Sequence, residues 1–132
     1  MELFRRFVAP CLKELVTRMK AKGKFASIHI CGNSTPLLDD IVSIAPTCFS
    51  LESKVDLAVA REKLGGKVCV MGNVSPTGSF LTGTPEDVVR EGTDCIHAWG
   101  DTPGFVLSVG CDFPKRVPLE NVMALMSLKA YR

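Results

Sequence analysis

The sequence has no long hydrophobic run. Nothing in it approaches the roughly 20 apolar residues a helix needs to cross a bilayer. Glu2, Arg5 and Arg6 interrupt the N-terminus before an apolar stretch develops, so it does not read as a secretion signal. A basic cluster is lacking too. Sixteen Lys and Arg against fourteen Asp and Glu leave a formal net charge of +2, with no run long enough to suggest a nucleic-acid face. There is no internal repeat or low-complexity tract. These absences exclude a membrane span and a nucleic-acid reader, and the expectation is a cytoplasmic protein.

What is present suits a globular fold. The 132 residues fit one domain or a piece of a larger one, and 46% hydrophobic with 23% charged residues is the balance of a chain with a real core. The six cysteines (Cys11, Cys31, Cys48, Cys69, Cys95, Cys111) are scattered, several of them inside apolar runs. Without a secretion signal they read as reduced thiols rather than a disulfide framework.

Taken in order, helix and strand alternate. Leu12, Leu15, Val16 and Met19 recur at helical spacing; Pro10 sits in the first turn or kinks it, and Gly23 stops it. A strand ends at Ile28-His29-Ile30-Cys31. Thr35-Pro36 reads as an N-cap with proline at the first helical position, opening a helix through Leu37, Leu38, Ile41 and Val42. Cys48-Phe49-Ser50-Leu51 is a second strand. Ser53 with Asp56 resembles a capping box ahead of a helix carrying Val55, Ala58, Val59 and Leu64, ended by Gly65-Gly66. Val68-Cys69-Val70-Met71 is a third strand, emptying into a turn-rich loop from Gly72 to Gly78. Thr84-Pro85-Glu86-Asp87 starts the next helix. Phe105 to Val109 is a fourth strand, and a last helix begins near Pro118 with Val122, Leu125, Met126 and Leu128. One helix followed by four βα units implies a parallel sheet with right-handed crossovers.

The first strand carries the chemistry. Side chains alternate along a strand, so Ala26, Ile28 and Ile30 share one face while Ser27, His29 and Cys31 share the other. An imidazole beside a soft thiol is the start of a zinc site. Cys111 stands at the end of the fourth strand as Cys31 stands at the end of the first, and functional groups in α/β folds collect at these C-terminal ends. Three such ligands with no obvious fourth describe a catalytic rather than a closed structural zinc site. Against this, a His-x-Cys pair arises often by chance and a buried cysteine is usually a small hydrophobe, and spacing alone leaves both readings open. Cys95 and His97 repeat the pairing, but on a helix they do not face each other. Cys48 and Cys69 read as core, and Cys11 as a helix residue. Asp112 reads either as a partner orienting a ligand or as a turn residue. Asn73 and Ser75 read either as substrate-side contacts or as turn chemistry.

Five blocks carry a resemblance. They are Ile28 to Pro36, Met71-Gly72-Asn73-Val74-Ser75-Pro76, Gly83 to Val88, Gly110-Cys111-Asp112-Phe113-Pro114 and Pro118-Leu119-Glu120-Asn121. Together, and in this order, they resemble the C-terminal half of the uroporphyrinogen decarboxylase superfamily. Within it they are similar to the zinc-dependent corrinoid methyltransferases, of the methylcobalamin:coenzyme M type. The resemblance implies a (β/α)8 barrel in which the equivalents of His29, Cys31 and Cys111 bind zinc. It implies methyl transfer from methylcobalamin or a corrinoid protein to a thiol such as coenzyme M. True decarboxylases have a histidine between two glycines where this chain has Gly110-Cys111-Asp112, so porphyrinogen decarboxylation is the weaker alternative.

Length departs from the family. A full barrel takes about 250 residues, so residues 1–132 are expected to form a single partial domain, a half-barrel with about four strands. The alternatives are part of a working enzyme or an inactive fragment. Two edge strands and an apolar lumen then imply association, with a second copy or a complementary N-terminal half. Geometry sets one more condition. Strands about 4.8 Å apart would hold the ends of the first and fourth roughly 14 Å apart in a flat sheet. The three ligands can meet only if the sheet curls.

Overall fold

A computed structural model describes residues 1–128; residues 129–132 of the expected domain lie outside them. The chain begins with one turn of π-helix, Phe4–Val8, running into α1, Ala9–Ala21. Pro10 has no N–H and its ring crowds the carbonyl four residues back. The widened turn accommodates this, and the Ala9 N–H bonds the Phe4 carbonyl, five residues back. Gly23, at φ +67°, takes the left-handed conformation that ends the helix. Val16 is buried but Leu15 is exposed, because α1 packs along one stripe only.

Four strands follow: β1 (Ser27–Ile30), β2 (Cys48–Leu51), β3 (Cys69–Val74) and β4 (Phe105–Val109), all parallel and in the order β1-β2-β3-β4. The helices between them are α2 (Leu38–Ile44), α3 (Leu57–Leu64), a short α4 (Ser79–Thr82) and α5 (Pro85–Trp99), with α6 (Leu119–Ser127) last. This is the expected α/β arc of a partial barrel. Three boundaries differ from the sequence reading. The segment before α2 is a 3-10 turn, Thr35–Leu37, and Asn33 rather than Thr35 supplies the side-chain acceptor, taking the Thr35 N–H. Asp56 itself caps α3, accepting from the N–H groups of Ala58 and Val59, so the Ser53 box does not form. Strand β3 runs on through Gly72 to Val74, because β4 offers it ladder partners as far as Val74↔Val109. The helix start at Thr84-Pro85-Glu86-Asp87 forms as read, with Thr84 and Asp87 closing a capping box, and α4 was not anticipated.

The core lies on one side of the sheet. Phe49, Leu51 and Val70 are fully buried there against Leu38, Ile41, Ala60, Leu64 and Val88 of the helices. Each of these side chains except that of Ala60 contributes about 1.5–3 kcal/mol by leaving water. Trp99 stacks on Phe105 at 5.1 Å and donates its indole N–H to the Thr102 carbonyl. The other face of the strands is left for polar side chains and lines a cavity.

One buried polar group ties the later helices together. Asn121, on α6, is fully buried and donates its amide to the carbonyls of Phe80 and Gly83, at 3.1 and 2.9 Å. It thereby fastens α6 to α4 and to the turn before α5. Asn121→Ala leaves these carbonyls unpaired and is expected to destabilise the chain by about 1–3 kcal/mol. Urea unfolding measures this, and an unchanged midpoint would show that the tie carries no stability.

Candidate metal centre

The site forms where chain segments crowd over the C-terminal end of β2. Gly72 in β3 passes so close that a Cβ on it would lie 2.7 Å from the Leu51 carbonyl oxygen. Gly110, just past β4, is as tightly placed: its Cβ would lie 2.7 Å from the Ser53 nitrogen and 3.1 Å from the same Leu51 oxygen. Only glycine permits such approaches. The chain leaving β4 therefore leans across β3 toward β2, held by a bond from the Gly110 N–H to the Val74 carbonyl. That lean carries Cys111 toward β1. On the other side, Gly32 turns the chain after β1 at φ +81°, and its N–H is accepted by the Glu52 carboxylate beyond β2.

Three donor atoms meet as a result. His29 Nε2 lies 3.2 Å from Cys31 Sγ and 3.5 Å from Cys111 Sγ, and the two sulfurs are 3.6 Å apart. Zinc–sulfur bonds of about 2.3 Å and zinc–nitrogen bonds of about 2.0–2.1 Å at tetrahedral angles set ligand atoms roughly 3.5–3.8 Å apart. The triangle is close to that size, and its donors are the soft and borderline types that zinc prefers. Electrostatics point the same way. The Cys31 thiol is pushed above its ordinary pKa, first by its hydrogen bond to Cys111, then by desolvation, then by the negative charges of Cys111, Glu52 and Asp112. Without a cation the Cys31 sulfur therefore keeps its proton, and as a thiolate it would call for a cation beside it.

The imidazole is also held from behind. His29 pairs in register with Ser50 on β2, and its Nδ1 lies 3.0 Å from the Ser50 Oγ. In front of the three donors opens a cavity of about 910 Å³, walled by Ser27, Ser50, Met71, Ser108, Val109, Asp112 and Phe113 besides the donors themselves. Phe113 is braced edge-on against Phe80.

Comparison with known proteins settles the lineage. Residues 1–130 match the family model for uroporphyrinogen decarboxylase (URO-D). The chain belongs to this family. It is 27% identical over 132 residues to the methylcobamide:CoM methyltransferase MtbA of Methanosarcina mazei, covering 99% of this chain and 38% of that protein. It is 31% identical over 127 residues to the uroporphyrinogen decarboxylase of Chlorobaculum tepidum, covering 93% of this chain and 36% of that protein. Among solved structures it superposes on a methyltransferase from Methanosarcina mazei with a TM-score of 0.83 at 28% identity, over 96% of this chain and 36% of that one. This URO-D family chain thus spans little more than a third of the length of the relatives it matches.

The structure brings together His29, Cys31 and Cys111 and places Asp112 on the cavity wall beside them. It turns Asn73 and Ser75 away. The alternation of β3 breaks after Gly72, and Asn73 enters the helix layer. There it is 7% exposed and donates its amide to the carbonyls of Glu52 and Val55. The Ser75 hydroxyl accepts the Gly78 N–H and its backbone N–H bonds Glu91, a turn rather than a cavity wall. Cys95 is buried against Asn73 while His97 is exposed, so this second pair does not converge. Burial, with Cys69 alongside, pushes the Cys48 thiol up to about 11, which marks it as protonated at neutral pH. Ser50, Glu52, Ser108 and Phe113 were missed. For Ser50 a signal existed: it occupies the same strand position in β2 as His29 in β1.

Reconstitution with zinc is expected to load about one ion per chain, the stoichiometry of a single three-ligand site. Cys31→Ser and Cys111→Ser should each lower the zinc content strongly, and Cys69→Ser, outside the triangle, should not. Full zinc content in both ligand variants by elemental analysis would sink the assignment.

Proposed function

We propose that this chain forms the metal-holding part of a zinc-dependent methyltransferase that moves a methyl group from a methylated corrinoid to a thiol. The observation that carries this reading is the convergence of His29 Nε2, Cys31 Sγ and Cys111 Sγ within 4.8 Å of one another. The methylcobamide:CoM methyltransferase relative supports it, and the short share of that relative covered makes the whole reaction part of the proposal.

His29, Cys31 and Cys111 would hold the ion. Zinc supplies at such a site the Lewis acidity that keeps an acceptor thiol deprotonated near neutral pH. The chain then needs no general base of its own at the acceptor sulfur. In the transfer the sulfur forms its bond to the methyl carbon as the carbon–cobalt bond of the donor breaks, and the electron pair of that bond stays with cobalt. Met71, Val109 and Phe113 give the cavity an apolar wall beside the three donors. Coenzyme M is one candidate acceptor among thiols, and either free methylcobalamin or a corrinoid protein could donate.

A methyl-transfer assay tests the reading, using methylcobalamin and a panel of thiols, with and without a polypeptide supplying the remaining barrel strands. Zinc-dependent thioether formation, lost in Cys111→Ser, is the expected outcome. Decarboxylation of uroporphyrinogen by the same preparation, unaffected by that substitution, would transfer the assignment to the decarboxylase side of the family.

Assembly belongs to the same proposal. Among the described residues β1 and β4 each have an unpaired edge, and Val106 on β4 is exposed. Open edges and a bare lumen favour pairing with further strands, from a second copy or a complementary chain. Light scattering of the 132-residue chain alone should therefore show a dimer or larger species, and a monomer at all concentrations would count against self-association.

A further inference from the structure

We propose that Ser50 is a positioning residue for the metal centre, selecting the His29 tautomer that leaves Nε2 free to bind the ion. The inference rests on the zinc reading above but concerns a residue outside the ligand set.

A neutral imidazole carries one proton, on Nδ1 or on Nε2, and a metal can take only the nitrogen without it. Nε2 is the nitrogen that faces Cys31 Sγ and Cys111 Sγ, at 3.2 and 3.5 Å. Left to itself, with two thiols in front, this nitrogen has a use for the proton: it can donate to a sulfur. That tautomer blocks the site. The contact behind the ring bears on that choice. Ser50 Oγ lies 3.0 Å from Nδ1 and accepts a proton held there, which leaves a bare lone pair on Nε2.

The placement is built into the sheet. His29 and Ser50 are register partners on adjacent parallel strands, with both side chains on the cavity face. The next partner in the row, Met71, offers only a thioether, a weak acceptor. The Ser50 oxygen is thus the strong acceptor that the row provides to Nδ1. A serine hydroxyl can also donate, so the tautomer choice is not forced until Nε2 meets the ion. Ser50 then follows by turning its own hydrogen away and accepting, which a methyl group at that position cannot do. Partners of this kind behind a ligating histidine typically change metal affinity about 10–100-fold when removed.

The test uses the full chain and zinc alone as probe. Chelator competition should show zinc affinity roughly 10–100-fold weaker in Ser50→Ala and near wild type in Ser50→Thr, which keeps the hydroxyl. Ser108→Ala, on the same cavity wall but not against His29, should match wild type. A second readout is independent of the reaction and of unfolding: ¹H–¹⁵N spectra of the imidazoles. The chain has two histidines, so His29→Gln assigns the signals by difference. Zinc-loaded wild type should show the Nδ1–H form of His29. Metal-free Ser50→Ala should shift toward Nε2–H relative to metal-free wild type. Unchanged zinc affinity in a folded Ser50→Ala, or an unchanged tautomer ratio, overturns the role of Ser50. Failure of wild type to bind zinc overturns the metal reading instead, and the metal-free tautomer ratio still judges the Ser50 contact.

Discussion

Cys31 and Cys111 are separated by 80 residues and by two intervening strands, yet their sulfurs stand 3.6 Å apart. That approach depends on the crowding over the end of β2, where Gly72 and Gly110 both pass within contact of Leu51. A side chain at either position would push the β3 or β4 end outward. The loop carrying Cys111 would then lose its lean. Sheet curvature and two missing Cβ atoms are therefore what bring three scattered donor groups into one cluster.

One-sided burial completes the arrangement. The helices cover a single face of the sheet, and hydrophobic side chains take every second strand position on that face. The intervening positions are freed for polar and soft groups, and His29 and Ser50 use one of them each. Two buried asparagines then fix the segments that sheet pairing does not reach. Asn73 binds the β2–α3 turn through the carbonyls of Glu52 and Val55, and Asn121 binds α4 to α6. A residue that looks like a substrate contact in sequence thus serves to hold the wall on which Glu52 stands.

The family contains relatives named for two different reactions, at similar identity to this chain. A shared barrel does not choose between them, because chemistry resides in the side chains at the strand ends. Here those side chains are two thiols and an imidazole in a neighbourhood made negative by Glu52 and Asp112. A cation is the natural complement to that set, and the proposed thiol-activating chemistry rests on it.

The sequence by itself determined the parallel α/β pattern and the apolar face of each strand, and it offered His29, Cys31 and Cys111 as candidate donors. These are legible because strand alternation and helix periodicity are local, and because His29 and Cys31 stand two residues apart on one strand. Helix starts were legible where the cap is strictly local, as at Thr84 with Asp87, and misjudged at Asp56, where two neighbouring residues were both able to cap. Tertiary structure alone decided that Cys111 reaches His29, that Ser50 backs the imidazole and that Asn73 faces inward. Each of these turns on the spacing between strands. Register, curl and the room left by an absent Cβ are set by contacts between segments distant in sequence, and no local pattern encodes them.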